Sequence, residues 1–174
     1  MKGSVLNQRA VGEGSTKHAL SEQSSQLPVQ SQRIAADAET PTHAVVFEAG
    51  DEATDGLLRF AREQDLGAAH FTAIGAFREA TLAFFNPESK EYEEIPVDEQ
   101  TEVLSLTGNV ARYEGEPKLH AHAVLGRRDG STVGGHLMEA IVRPTLEVML
   151  TEAPATLTRR IDDASGLPLI DLQA

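Results

Sequence analysis

The sequence predicts an α+β domain, a predominantly antiparallel β-sheet carrying one main amphipathic helix. Three observations predict it. About seven or eight runs are rich in β-branched and apolar residues with a period near two. A single stretch keeps a helical stripe between an N-terminal cap and a glycine stop. The 174 residues, 40% of them hydrophobic, suffice for one domain with a sizeable core and are too few for two domains plus a tail.

Residues 1–38 are rich in Ser, Gln and Gly, hold no aromatic residue and show no sustained period, which predicts a disordered tail ahead of a domain at 39–174. The tail's four scattered basic residues form no cluster of the kind that grips nucleic acid or lipid, so it reads as a spacer. Residues 42–48, THAVVFE, predict the first strand, ended by Gly50 and Asp51. Asp51 suits a helix N-cap, with Glu52 and Asp55 in the first turn. Leu57, Leu58, Phe60 and Ala61 form the apolar stripe, and Gly67 offers the stop. Residues 68–76 predict a second strand. A hairpin follows, 78–85 with 91–95, around Asn86-Pro87-Glu88-Ser89. A long strand at 101–111 turns at Glu114-Gly115-Glu116-Pro117 into a histidine-bearing strand. Residues 140–150 predict another strand, in which Pro144 demands an edge, a bulge or a break. The segments 155–161 and 167–172 close the series.

The stretch from Lys118 to Glu139, KLHAHAVLGRRDGSTVGGHLME, holds three of the six histidines. His120 and His122 are two apart, so on a strand both imidazoles point to one face. The Asp129-Gly130 turn signal brings the chain back through Gly134 and Gly135 to His136, beside that pair. Three imidazoles with an open fourth position are an arrangement suited to Zn2+, or to another divalent transition metal such as nickel or ferrous iron. The diglycine would let backbone approach whatever is bound. His43 and His70, isolated on strands expected to be buried, read as structural residues.

The absence of cysteine excludes disulfides, thiol nucleophiles and thiolate metal sites, so a metal must be held by nitrogen and oxygen. No apolar run approaches a membrane span and the N-terminus lacks a signal-like core, which predicts a cytoplasmic protein with no membrane partner. Of the net charge of −12, residues 39–174 carry −13, from eleven Lys and Arg against twenty-four Asp and Glu. A surface of that sign repels phosphate backbones, so tight direct DNA binding by the domain is not expected.

The run from residue 71 to 150 resembles the PPC domain (plants and prokaryotes conserved, also DUF296). The motifs carrying the likeness are Gly75-Ala76, EVLSLTGN, HAHAVLG, and GGHL with the following Glu139, and it extends over about 42–163. The resemblance implies an α+β sheet with a helix, a homotrimer, and a metal, usually taken as zinc, on three histidines matching His120, His122 and His136. Plant members place the domain behind AT-hooks, from which the family carries a DNA-binding, regulatory label. This chain has no Arg-Gly-Arg-Pro core, which aligns it with the prokaryotic type. The plant partner-binding hexapeptide Gly-Arg-Phe-Glu-Ile-Leu falls on residues 99–104, where Glu102 and Leu104 are kept, Val103 replaces Ile, and Gly, Arg and Phe are lost. Two function classes follow. One is a trimeric metal-binding module whose ion is structural or meets a small-molecule ligand. The alternative is a metal-dependent enzyme with a water of lowered pKa at the open position. For that enzyme Glu139 and Glu102 are the carboxylates to consider as base, although each also reads as an exposed surface acid.

Overall fold

The computed structural model describes residues 30–33 and 40–173. Among these are nine strands and one α-helix. The strands are β1 (Gln30–Arg33), β2 (Thr42–Glu48), β3 (Ala68–Asn86), β4 (Glu91–Val97), β5 (Thr101–Tyr113), β6 (Glu116–Gly126), β7 (Thr132–Glu152), β8 (Thr158–Ile161) and β9 (Pro168–Asp171). The helix α1 (Ala53–Glu63) lies between β2 and β3. The antiparallel α+β expectation holds, with β8 alongside β5 as the parallel exception. Within the stretch expected to be a tail, Gln30–Arg33 instead pair with β2 as an exposed edge strand. The remainder of that stretch lies outside the described residues.

Four strands close on one another. β3 pairs with β5, β5 with β6, β6 with the first five residues of β7, and β7 returns along almost the whole of β3. Closure leaves none of the four with a free edge over the shared span and encloses Phe71, Phe77, Leu82, Leu106, Leu125 and Leu146, each at most 1% exposed. β2 adds beside the C-terminal half of β7, and β4 beside the C-terminal half of β3. Helix α1 lays Ala53, Leu57, Phe60 and Ala61 into the same core.

The helix ends differ from the sequence expectation. Its N-cap is Glu52 rather than Asp51. It accepts from Thr54 Oγ1 at 2.8 Å and from the Asp55 amide, and its second oxygen accepts from the Ala140 amide at 2.8 Å, so one side chain caps the helix and ties it to β7. Such a cap contributes about 1 kcal/mol. Asp51 instead accepts from the Glu48 amide at 2.8 Å and closes the preceding turn. At the other end the stop is Asp65, at φ 52°, not Gly67. Aspartate tolerates the left-handed region, and Arg112 holds it there by Nη2 to Asp65 Oδ1 at 2.6 Å.

The strand expected at 68–76 and the first arm of the hairpin at 78–85 are one continuous element, bent by register shifts against β7. One shift answers the Pro144 expectation. Between the pairs Gly75–Leu146 and Phe77–Val142, three residues of β7 face one of β3, and Pro144 sits in that bulge without breaking the strand.

Candidate metal centre

Along β6, Ala121, Ala123 and Leu125 are buried while His120, His122 and Val124 point outward. The period of two therefore places both imidazoles on one face, as expected; that face is the outer one of the barrel, and they take no part in the core. His136 is the direct cross-strand partner of His122. The three residues predicted from sequence meet, with one ring nitrogen from each within 4.8 Å of the others. His120 Nε2 and His122 Nε2 are 3.2 Å apart. Two nitrogens bound to one tetrahedral zinc at 2.0–2.1 Å are about 3.3 Å apart, so this pair already stands at a ligand spacing. His136 Nδ1 is buried without a hydrogen-bond partner, an orphaned nitrogen that no protein donor or acceptor satisfies. The set fits a divalent ion that accepts neutral imidazole. Gly135 of the diglycine has a packing role of its own. A Cβ on Gly135 would fall 2.7 Å from the Ala83 carbonyl oxygen, so this glycine lets β7 approach β3 just ahead of His136.

The surroundings favour neutral imidazoles. Burial holds His136 well below the ordinary histidine range, at about 4, with His120, His122 and Lys118 adding to the effect. His120 is lowered too, by burial first, then by the charge of Arg159 and by His122. The Tyr92 ring of β4 lies against His136 at 4.8 Å between centroids, and burial raises its hydroxyl pKa. One consequence is measurable on metal-free protein. An unfolded chain protonates this histidine near 6.5 whereas the folded His136 resists protonation down to about 4. The histidine's contribution to stability is therefore full above about 6.5 and is lost as pH falls through that window. Denaturant midpoints of wild type should drop between about pH 6.5 and 4, and those of His136→Gln should drop less. Parallel curves would place the titration elsewhere.

Beside the histidines opens a cavity of about 270 Å³. Tyr92, His120, His136 and Lys118 form one side of it, and Arg159 with Leu167 to Leu169 the other. Neither carboxylate considered as a base lines it. Glu139 is exposed, accepts from Thr81 Oγ1 at 3.2 Å, and lines a separate groove with Glu79 and Asp98. Glu102 lines another groove with Ile74 and Leu104. His43 is structural, as expected. It is 3% exposed, its Nε2 lies 2.6 Å from Glu152 Oε1, and Phe60 meets it edge-on. His70 is exposed rather than buried and stands apart from the three. Sequence reasoning missed Tyr92 and Arg159 at the site. Tyr92 carried a usable signal, since a hairpin of the expected length returns it alongside β3.

Comparison with known proteins agrees with this architecture. The family model of the Plants and Prokaryotes Conserved (PCC) domain matches residues 35–154. Among solved structures, a "putative DNA binding protein" from Bacteroides thetaiotaomicron matches with a TM-score of 0.79 at 28% identity, covering 85% of this chain and 100% of that one. A metal-containing protein from Archaeoglobus fulgidus matches at 0.70 and 34% identity, covering 74% and 91%. A plant- and prokaryote-conserved (PPC) protein from Pyrococcus horikoshii matches at 0.71 and 29% identity, covering 82% and 94%. No curated protein matches. With its closed antiparallel barrel, single helix and match from residue 35 to 154, the chain belongs to the Plants and Prokaryotes Conserved domain family.

Proposed function

We propose that the chain is a trimeric metal-binding module in which His120, His122 and His136 hold a divalent transition ion, zinc first, and present its open position to a small molecule in the adjoining cavity. The observation that carries this reading is the convergence of three ring nitrogens within 4.8 Å on the outer face of the barrel. A structural match described as metal-containing, at 34% identity, supports it. When bound, such an ion polarises an oxygen ligand. The protein's own part is to supply three ring nitrogens from adjacent strands and to wall the open side with Tyr92 and the β8–β9 hairpin. The test is metal analysis of untagged protein after dialysis against zinc, nickel and ferrous iron in turn, with one ion per chain expected. Protein that stays metal-free throughout would overturn the reading.

A metal-dependent enzyme is the second reading. Tyr92 gives it some support, because its ring stands against His136 on the cavity wall. It stays second because Glu102 and Glu139 both lie off the cavity.

The trimer rests on the exposed apolar residues Ile74, Leu104 and Met149, which are 62%, 54% and 46% accessible on the outer sheet face. An apolar surface of that kind fits burial between copies. Light scattering should give three times the chain mass of 18.7 kDa, and a monomer mass at micromolar concentration would refute the assembly. As for nucleic acid, two matches share a DNA-binding description, but the −13 on residues 39–174 opposes tight contact with phosphates. AT-rich duplex should not be retained at about 0.15 M salt.

A further inference from the structure

Arg159 is 5% exposed, and its Nε is buried with no partner. Its other nitrogens donate to neutral acceptors, Nη1 to the Pro168 carbonyl at 3.0 Å and Nη2 to Asn109 Oδ1. Among the described residues no carboxylate pairs with it, although the folded part of the chain is rich in them. Asn109 stands directly across from His120 in the sheet, so the amide that steers the guanidinium belongs to the same outer face as the histidines. Arg159 lines the histidine cavity, and Lys118 does too. The lining includes no Asp or Glu, and Leu119, Met138, Leu167 and Leu169 supply an apolar wall.

A buried guanidinium without an anion is costly to keep, since burial disfavours the charged form. In this acidic chain a small cavity walled by two cations, a candidate ion site and leucines is an anion site with an apolar body pocket. Arg159 also lies beyond the region matched by the family model, which ends at residue 154.

We propose that the cavity takes a small carboxylate with a short apolar body, its carboxylate received by Arg159 next to the ion held on His120, His122 and His136. The ion's part in this rests on the metal-site reading above, and the contact with Arg159 does not. Planar guanidinium suits the two oxygens of a carboxylate, and the cavity of about 270 Å³ has room for a short apolar body beside its leucines.

The test uses the full chain, butyrate as probe, and its neutral isostere butyramide and inorganic phosphate as comparisons. In cobalt-loaded protein, butyrate should perturb the visible bands saturably and butyramide should not. Arg159→Met should weaken butyrate at least tenfold while leaving the bands of the unliganded cobalt protein unchanged, with Arg159→Lys recovering part of the affinity. If Arg159 served only to pin the hairpin to β5, Arg159→Met would lower the melting temperature and leave butyrate affinity intact, which overturns the proposal. Tighter binding of phosphate than of butyrate would overturn the carboxylate assignment. If cobalt does not bind, the metal reading fails on its own. Thermal shift of the metal-free protein then decides, with stabilisation by butyrate in wild type but not in Arg159→Met supporting the contact, and no shift in either refuting it.

Discussion

His122→Gln should abolish stoichiometric metal binding while leaving the barrel folded. His122 is exposed, and its neighbours on either side, Ala121 and Ala123, carry the burial of that part of β6. The variant therefore leaves the core untouched, and the stability of the metal-free form should change by no more than about 0.5 kcal/mol, as for other surface substitutions. The effect on the ion is of another order. Removing an outer-shell partner of a metal ligand costs about 10–100-fold in affinity, and removing one of three ligands should exceed that, so that no ion survives dialysis. His70→Gln is the control, since His70 lies on the same sheet but outside the cluster. Metal content measured on the three proteins decides the matter. Retention of a full equivalent by His122→Gln would remove this residue from the site.

The second large effect is expected at Gly75, where β3 passes the β7 bulge. Its φ is +148°, and a Cβ built there would lie 2.2 Å from the Thr145 carbonyl oxygen and 2.8 Å from the Leu146 Cα. Both obstacles are backbone, so no rotamer change makes room, and both belong to β7, the strand that pairs with Gly75 itself. Gly75→Ala must either open the β3–β7 ladder or shift the bulge around Pro144. Backbone strain and overpacking each cost about 1–3 kcal/mol, which puts the loss at about 3 kcal/mol. The melting temperature should then fall by roughly 6–12 °C. Thermal unfolding of the metal-free variant against wild type measures it. An unchanged transition would show that the two strands can part locally at no cost.

The architecture was legible where local chemistry and tertiary pairing agree. Alternation along residues 116–126 predicted that His120 and His122 would share one face, and the short Asp129-Gly130 turn predicted that His136 would return beside them. Legibility failed where a contact distant in sequence decides a local feature. Glu52 displaced Asp51 as the cap because its carboxylate also finds the Ala140 amide, which no reading of residues 51–55 can reveal. The second half of β3 looked like a separate hairpin arm because only its long pairing with β7 makes it continuous with the first. Gln30–Arg33 gave no strand signal, since an exposed edge strand with four polar residues owes its order to β2 and not to its own side chains. Arg159 could not be foreseen at the histidines. Its placement depends on β8 docking next to β5 and on Asn109.

The closed ring of strands also bears on how the chain reaches its native state. Ala69 pairs with Glu152, so the ladder that completes the ring joins one of the first strands to the last residue of β7. His122 and His136, by contrast, are brought together by a single short turn. The half-site they form can assemble locally on the microsecond scale of a hairpin, whereas ring closure must bear the entropy of a much longer loop and belongs to the millisecond-to-second regime of nonlocal β topologies. During synthesis the first half of β3 remains without its β7 partner until residues 146–152 have emerged, and for that interval the apolar Phe71 lacks the ladder that later covers it.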